Sequence, residues 1–247
     1  MVLNKLFEEK KTVSTYDSDF QMKLKLSSIF NYMQDTAAVN ADQLGLGYEH
    51  LMPLELAWVL SWVKVEIDDY PVYGQELLLN TWPKCSYKLY SMRDFRIKDM
   101  NEKILCRATT AWLPINIKTK RVTGIQNLPA PIPYNPDLVG VDELPSKIMI
   151  PHTKQILFIK KFRYNDLDIN HHVNNVKYVE MVLDSFTIEQ YLSHSIKSIT
   201  VSFSSESFYG DEIEVNIASG ENEFVNFVEG INVQTQKQVF ASRVEWK

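Results

Sequence analysis

Between positions 27 and 44, Ile29, Met33, Ala37, Asn40 and Leu44 recur every three or four residues. That spacing predicts a helix with one buried face. Ser27 or Ser28 is placed to cap its start and Gly45 to end it. Four strand-like runs follow, at 56–67, 76–82, 89–97 and 104–115. The same order then returns. A helix at about 175–192 carries Val176, Val179, Leu183 and Phe186 on one face, and runs at 196–203, 212–217, 223–233 and 238–246 come after it. Alternation is cleanest at 212–217, where Ile213, Val215 and Ile217 are expected to face a core and their polar neighbours solvent. One helix followed by meandering strands, twice over, predicts an α+β chain of two modules, each an antiparallel sheet around a long helix. So long a period means a duplicated domain rather than a solenoid.

Six of the ten prolines (Pro129, Pro131, Pro133, Pro136, Pro145 and Pro151) fall between Asn127 and Gln155. Proline lacks a ladder donor and disfavours helix in the residue before it, so 127–155 reads as an extended connector. The expected division is therefore an N-terminal module at 1–126, a linker at 127–155 and a C-terminal module at 156–247.

Composition narrows the function classes. Hydrophobic residues make up 45% and charged residues 23% of the 247, as in soluble globular proteins. No run approaches the roughly 20 apolar residues that cross a bilayer. The first eleven residues hold no continuous apolar stretch and do not read as a signal peptide. Two cysteines, Cys85 and Cys106, cannot build a disulfide framework, which fits a reducing cytoplasm. A net charge of −5, with no basic stripe interleaved with aromatics, argues against a nucleic-acid binder.

The segment Asp166-Leu-Asp-Ile-Asn-His-His-Val-Asn-Asn-Val-Lys-Tyr178 gathers carboxylates, amides and imidazoles at the entrance to the second helix. Unpaired N–H groups and the positive dipole end favour developing negative charge there. An acid, an imidazole and oriented amides at such an end suit a hydrolytic site, while Asp and Asn before a helix also serve as turn formers and caps. If the segment is extended, Asp168, Asn170 and His172 share one side. A calcium loop is excluded, because its sixth position would be His171 and its twelfth Lys177. Adjacent His171 and His172 lack the spacing of a zinc pair. No G-x-S-x-G elbow is present.

These residues carry a family resemblance. The chain resembles the acyl-[acyl-carrier-protein] thioesterases, double hot-dog proteins, over nearly its whole length. The matching stretches are Ser28-Ile-Phe-Asn-Tyr-Met-Gln-Asp-Thr-Ala37, the run Trp58 to Pro71, Thr81-Trp82, Arg107-Ala-Thr-Thr-Ala-Trp112 and, most specifically, Asp166 to Tyr178. The resemblance implies a tandem hot-dog fold whose first module houses the acyl chain and whose second is catalytic. It implies hydrolysis of fatty acyl-carrier-protein thioesters, ending fatty acid synthesis. An acyl-CoA thioesterase and a non-catalytic acyl-chain binder are the alternatives. The implied catalytic set is Asp168, Asn170, His172 and Glu206, with Ser207 where plant members have cysteine. Asp168 would act as base or direct nucleophile, Asn170 on water or the oxyanion, His172 on Asp168 or the departing thiolate, and Glu206 on the hydrolytic water. No cofactor or metal is implied. The implied partner is an acyl carrier protein bearing a 4'-phosphopantetheine-linked chain, with no nucleic acid or membrane, and a homodimer remains open. Lys118, Lys120 and Arg121, or Lys160, Lys161 and Arg163, are the candidate docking patches. Trp58, Trp62, Trp82 and Trp112 either line an acyl tunnel or fill the core. Aligning Tyr16 with Tyr164 sets Phe20 against Asp168 and Leu24 against His172, so the first module is expected to present apolar groups in place of the catalytic set.

Overall fold

The computed structural model describes residues 6–247. The chain divides into two compact units, the first ending at Pro145 and the second spanning Ser146–Lys247. In the first unit β1 (Phe7–Thr12) precedes α1 (Leu26–Gln43), a short α2 (Tyr48–Leu51), and then β2 (Leu56–Ile67), β3 (Glu76–Tyr87), β4 (Tyr90–Asp99) and β5 (Ile104–Asn116), with β6 (Arg121–Val122) folding back on β5. The sheet runs β1-β3-β4-β5-β2, antiparallel throughout. The second unit holds β7 (Gln155–Lys161), α3 (Asn175–Leu183), α4 (Ile188–Ser193), β8 (Ile196–Phe203), β9 (Glu212–Ser219), β10 (Val225–Asn232) and β11 (Gln238–Trp246). Its order, β7-β9-β10-β11-β8, repeats that of the first unit strand for strand.

Helix α1 buries the face that its spacing predicts, with Ile29, Met33, Ala37, Asn40 and Leu44 all shielded from solvent. Among them, side chains the size of Ile29, Met33 and Leu44 each stabilise the fold by roughly 1.5–3 kcal/mol when fully buried. Gly45 ends the helix at φ +72°, and the Leu46 N–H reaches back to the Ala41 carbonyl at 2.8 Å in a Schellman closure. Its start differs from expectation. Lys25 is the N-cap and gives no side-chain cap, while Ser27 and Ser28 lie buried within the first turn.

The single long helix expected at 175–192 is two short ones. Ser185 Oγ bonds back to the Met181 carbonyl at 2.8 Å, competing with helix propagation. Thr187 then opens α4 with a reciprocal capping box to Gln190. The break lets Phe186, buried between the helices, meet Trp246 edge-on with ring centroids 4.9 Å apart. In β9 the alternation holds at Ile213 and Val215, but Asn216 is then buried and Ile217 is only half-buried.

Strands β1 and β7 escape the apolar pattern. Their sequences, Phe-Glu-Glu-Lys-Lys-Thr and Gln-Ile-Leu-Phe-Ile-Lys-Lys, carry the charges typical of sheet edges, and each pairs on one side only, with β3 and β9 respectively.

Neither helix nor strand forms between Asn127 and Gln155. The proline-rich run is nevertheless fastened to the first unit's sheet. The Trp82 indole donates to the Leu138 carbonyl at 3.0 Å, Arg96 to Val139 at 2.9 Å and Lys84 Nζ to Val141 at 2.7 Å. The Gly140 N–H donates to the Asp94 carboxylate at 2.6 Å. Asp94 is fully buried, which pushes its carboxyl above the usual range, while Thr109, the Gly140 amide and Lys84 hold it down. Trp82 thus belongs to this outer packing, and Trp62 is likewise buried, against Met92 and Ala111.

Candidate active site

The segment before α3 is a closed loop, not an extended strand. A 3-10 turn over Tyr164–Asp166 leads in, and buried Asp166 accepts the Arg163 N–H at 2.7 Å through its carboxylate. The Asp166 carbonyl takes the Asn174 N–H at 2.9 Å, and Leu167 bridges Val173, closing the neck. Inside it, the Asp168 N–H donates to the His172 carbonyl at 2.7 Å. Asp168 Oδ1 accepts two main-chain N–H groups, from Asn170 at 2.8 Å and His172 at 3.1 Å. His171 takes the left-handed conformation, φ +63°, to complete the turn. Asn174 then caps α3, its side chain accepting from the Val176 N–H at 2.9 Å.

Clamping by Asp168 is incompatible with the shared face of an extended segment, because its carboxylate turns inward onto the loop's own backbone. The result places the main chains of Asp168, Asn170 and His172 in one tight ring, with Asn170 exposed at its outer edge.

Glu206 comes from the segment after β8. The Val173 N–H donates to the Ser207 carbonyl at 2.9 Å, stitching that segment to the loop. Glu206 Oε1 then lies 3.7 Å from His172 Nδ1, with both side chains partly open to solvent. The His172 ring stands edge-on to Phe208, centroids 5.2 Å apart. A turn closed by Asp211, whose carboxylate accepts the Phe208 N–H at 3.0 Å, and by Gly210 at φ +91° fixes Phe208. Ser207 is wholly buried, out of reach of a substrate. Phe208 and the Asp166–Asn174 frame are missed by sequence reasoning. Asn174, two residues before the apolar periodicity that opens at Val176, is the only one with a readable signal.

The first unit contains the same loop. Asp19 donates its N–H to the Lys23 carbonyl at 2.8 Å, and its Oδ1 accepts from Gln21 at 2.8 Å and Lys23 at 2.9 Å. The Asp17 carbonyl takes the Lys25 N–H at 2.7 Å, Ser18 bridges Leu24, and Met22 is left-handed at φ +61°. Leu24 N–H donates to the Pro71 carbonyl at 2.8 Å, as Val173 does to Ser207, and Gly74 repeats Gly210 with φ +79°. The counterparts are therefore Asp19 for Asp168, Gln21 for Asn170, Lys23 for His172 and Tyr70 for Glu206. This corrects the alignment made on Tyr16 and Tyr164 by one residue, because the tyrosines lie outside the hydrogen-bonded loop that defines the register. The place is polar rather than apolar. Lys23 Nζ lies over the Tyr70 ring at 5.7 Å and donates to Gln21 Oε1 at 2.9 Å. The carboxylate clamp is retained and the imidazole–carboxylate pair is not.

Among the described residues, no group of three or more His, Cys, Asp or Glu is arranged to hold a metal ion. Neither cysteine is in a disulfide.

A helix against a five-stranded antiparallel sheet, made twice in one chain with a polar loop at each helix entrance, is the double hot-dog architecture. An acyl-ACP thioesterase from Bacteroides thetaiotaomicron superposes with a TM-score of 0.87 at 27% identity, covering 100% of both chains. The 12:0-ACP thioesterase from Umbellularia californica has the same fold, TM-score 0.81 at 22% identity, covering 100% of this chain and 95% of that one. In sequence, the chain is 26% identical over 261 residues to the chloroplastic acyl-[acyl-carrier-protein] hydrolase FATB2 of Cuphea viscosissima. That match takes in 98% of this chain and 63% of the relative's length. The family models for the acyl-ACP thioesterase N-terminal and C-terminal domains match residues 4–128 and 151–247. The chain belongs to the acyl-ACP thioesterase family.

Proposed function

We propose that this chain hydrolyses fatty acyl-[acyl-carrier-protein] thioesters, releasing fatty acid and the carrier's thiol. The observation that carries the reading is the His172–Glu206 pair set against the Asp168 loop at the entrance to α3, where the inert copy of the loop has lysine and tyrosine. Family membership supplies the substrate class.

A thioester is an activated acyl group, so attack by water needs a base and an oxyanion site more than a strong nucleophile. Asp168 Oδ1 is committed to the clamp, which leaves Oδ2 to take a proton from the attacking water. The new C–O bond creates an oxyanion, held by the Asn170 amide beside the helix N-terminus. When the C–S bond breaks, protonated His172 gives its proton to the leaving thiolate. Glu206 steadies the imidazolium and returns the proton taken up by Asp168 to His172 through solvent. Water is consumed and acid and thiol are released, with no net proton on either side before the acid ionises. The first unit is assigned to the acyl chain and the second to the chemistry.

The partner is an acidic acyl carrier. Of the basic candidates, Lys118 pairs with Glu55, Lys161 with Glu212 and, at 4.0 Å, Lys160 with Asp166; Lys160 and exposed Arg163 are the better placed to receive it because they lie just ahead of the catalytic loop. Two thiols outside any disulfide suit a reducing compartment. No helix among the described residues is long and apolar enough to cross a membrane.

The test is turnover of acyl-carrier-protein and acyl-CoA thioesters of graded chain length. Release of thiol from the carrier substrates, with kcat/KM at least tenfold above the matching CoA esters, supports the reading. Preference for CoA esters would move the chain to the acyl-CoA alternative, and no turnover of either would make it a binder.

A further inference from the structure

Below the loop lies a pair of hydroxyls that the chemistry so far leaves unused. Tyr178, one turn into α3, is 2% exposed, and Ser207 is 0% exposed. Neither the Tyr178 hydroxyl nor Ser207 Oγ has a hydrogen-bond partner among the described residues. Burying two such groups without compensation costs on the order of 1–3 kcal/mol each. Aromatic rings pen the tyrosine in from several sides: Phe162 at 5.8 Å, Phe203 at 6.1 Å and Phe240 at 5.6 Å between centroids. The ring is therefore fixed, and its hydroxyl is directed by the packing rather than by a bond of its own.

Ser207 is a close polar neighbour of that hydroxyl, buried and unpartnered like it. Burial pushes the Tyr178 proton's pKa up to about 12, and the groups that pull it down are the Ser207 side chain and the Ser207 backbone, with the charges of Asp211 and Glu206 close by on the same turn. Ser207 is also the residue whose carbonyl ties this turn to the catalytic loop, through Val173 at 2.9 Å. It directly follows Glu206 in the chain, so any shift of the Ser207 peptide moves the Glu206 carboxylate relative to His172. At 3.7 Å the His172–Glu206 contact is just longer than a hydrogen bond, and a displacement of a few tenths of an ångström decides whether one forms.

We propose that Tyr178 and Ser207 act together as positioning residues: their buried hydroxyls close on one another and hold the Glu206 carboxylate against His172. The tyrosine stands on the helix, the serine on the strand-end turn, and the pair ties together the two segments that supply the reacting groups. Neither touches substrate. Serine at this place is thereby a fastener, since its burial denies it any part as a nucleophile. The proposal rests on the hydrolytic reading of the site, but the geometry it predicts for His172 does not.

Tyr178→Phe removes one oxygen and keeps the ring packing; Ser207→Ala removes the other. Each should lower kcat about five- to tenfold on an acyl-carrier-protein thioester with KM within about twofold, and should displace the limb of the pH–rate profile governed by His172. The double variant should be no worse than either single one, as expected of two halves of one link. Ser207→Thr, which keeps a hydroxyl, should recover most of the rate lost in Ser207→Ala. A second readout needs no turnover: NMR titration of the imidazole signals, with His172→Gln to assign the resonance, should show the His172 pKa moving in Tyr178→Phe as its carboxylate neighbour is released. Additive losses in the double variant, or wild-type pH profile and His172 titration in Tyr178→Phe, would overturn the proposal. If no thioester is turned over by the wild-type chain while the titration still moves, the positioning stands and the hydrolytic reading falls.

Discussion

On the proposed mechanism, Asp168 serves both loop and chemistry. Its Oδ1 holds two N–H groups, a task that an amide oxygen performs as well, so Asp168→Asn keeps the clamp and removes only the charge. On the proposed mechanism kcat should fall about a hundredfold or more with folding intact, measured as turnover alongside the thermal midpoint. Rates within a few-fold of wild type would leave Asp168 as a clamp and pass the role of base to Glu206. Tyr178 offers a second check at this scale. Its folded-state pKa is raised from 10.0 to about 12, so the folded chain binds the proton more tightly than the unfolded one. The associated stability is complete below about pH 10 and is lost as pH rises towards 12, by up to roughly 2–3 kcal/mol. Midpoints at pH 9 and pH 11 should therefore converge in Tyr178→Phe relative to wild type. The resemblance in the sequence brought forward Asp168, Asn170, His172 and Glu206 together. Their geometry was not legible there, because alternation describes an extended chain and the Asp168 carboxylate instead folds the segment onto itself. Phe208 carries no local signal and Tyr178 enters only as the last residue of the matching stretch; both matter through what tertiary packing sets beside them.

At the level of elements, the long strands were readable as apolar runs and α1 through its single buried face. The edge strands β1 and β7 were not, since solvent and pairing on a single side allow lysine and glutamate where a central strand would carry valine. The break between α3 and α4 was hidden by an apolar spacing that continues across it, and only the Thr187–Gln190 box marks it. The proline-rich run was legible as extended but not as attached. Its attachment depends on Gly140, where a Cβ would stand 2.8 Å from the Ala108 carbonyl and 3.0 Å from that of Phe95. Gly140→Ala should therefore lift the strap from Asp94 and lower stability by about 1–3 kcal/mol, seen as a lower denaturation midpoint. The same variant should show faster proteolysis between Asn135 and Pro145. An unchanged midpoint and cleavage rate would mean that the strap adds nothing to the sheet it crosses.

For the molecule as a whole, net charge of −5 would oppose the proposed acidic carrier at long range, so on that reading docking relies on nearby positive groups inside the screening length of about 10 Å. Lys160→Glu with Arg163→Glu should raise KM for an acyl-carrier-protein thioester at least several-fold and leave a short acyl-pantetheine unaffected. The effect should shrink as salt is added. Equal changes with both substrates would locate the damage in the catalytic loop instead of the docking surface.

The second copy of that loop makes the molecule its own reference. Asp19 performs the Asp168 clamp with the same three bonds but sits beside lysine and tyrosine. Asp19→Asn therefore measures what the negative charge contributes to closing such a turn, free of any reaction. Set beside the midpoint change of Asp168→Asn, it gives the structural share of that residue's cost by subtraction, and whatever rate is lost beyond that share belongs to the transition state. On the proposed function, one chain thus carries both the working part and a blank cast from the same mould.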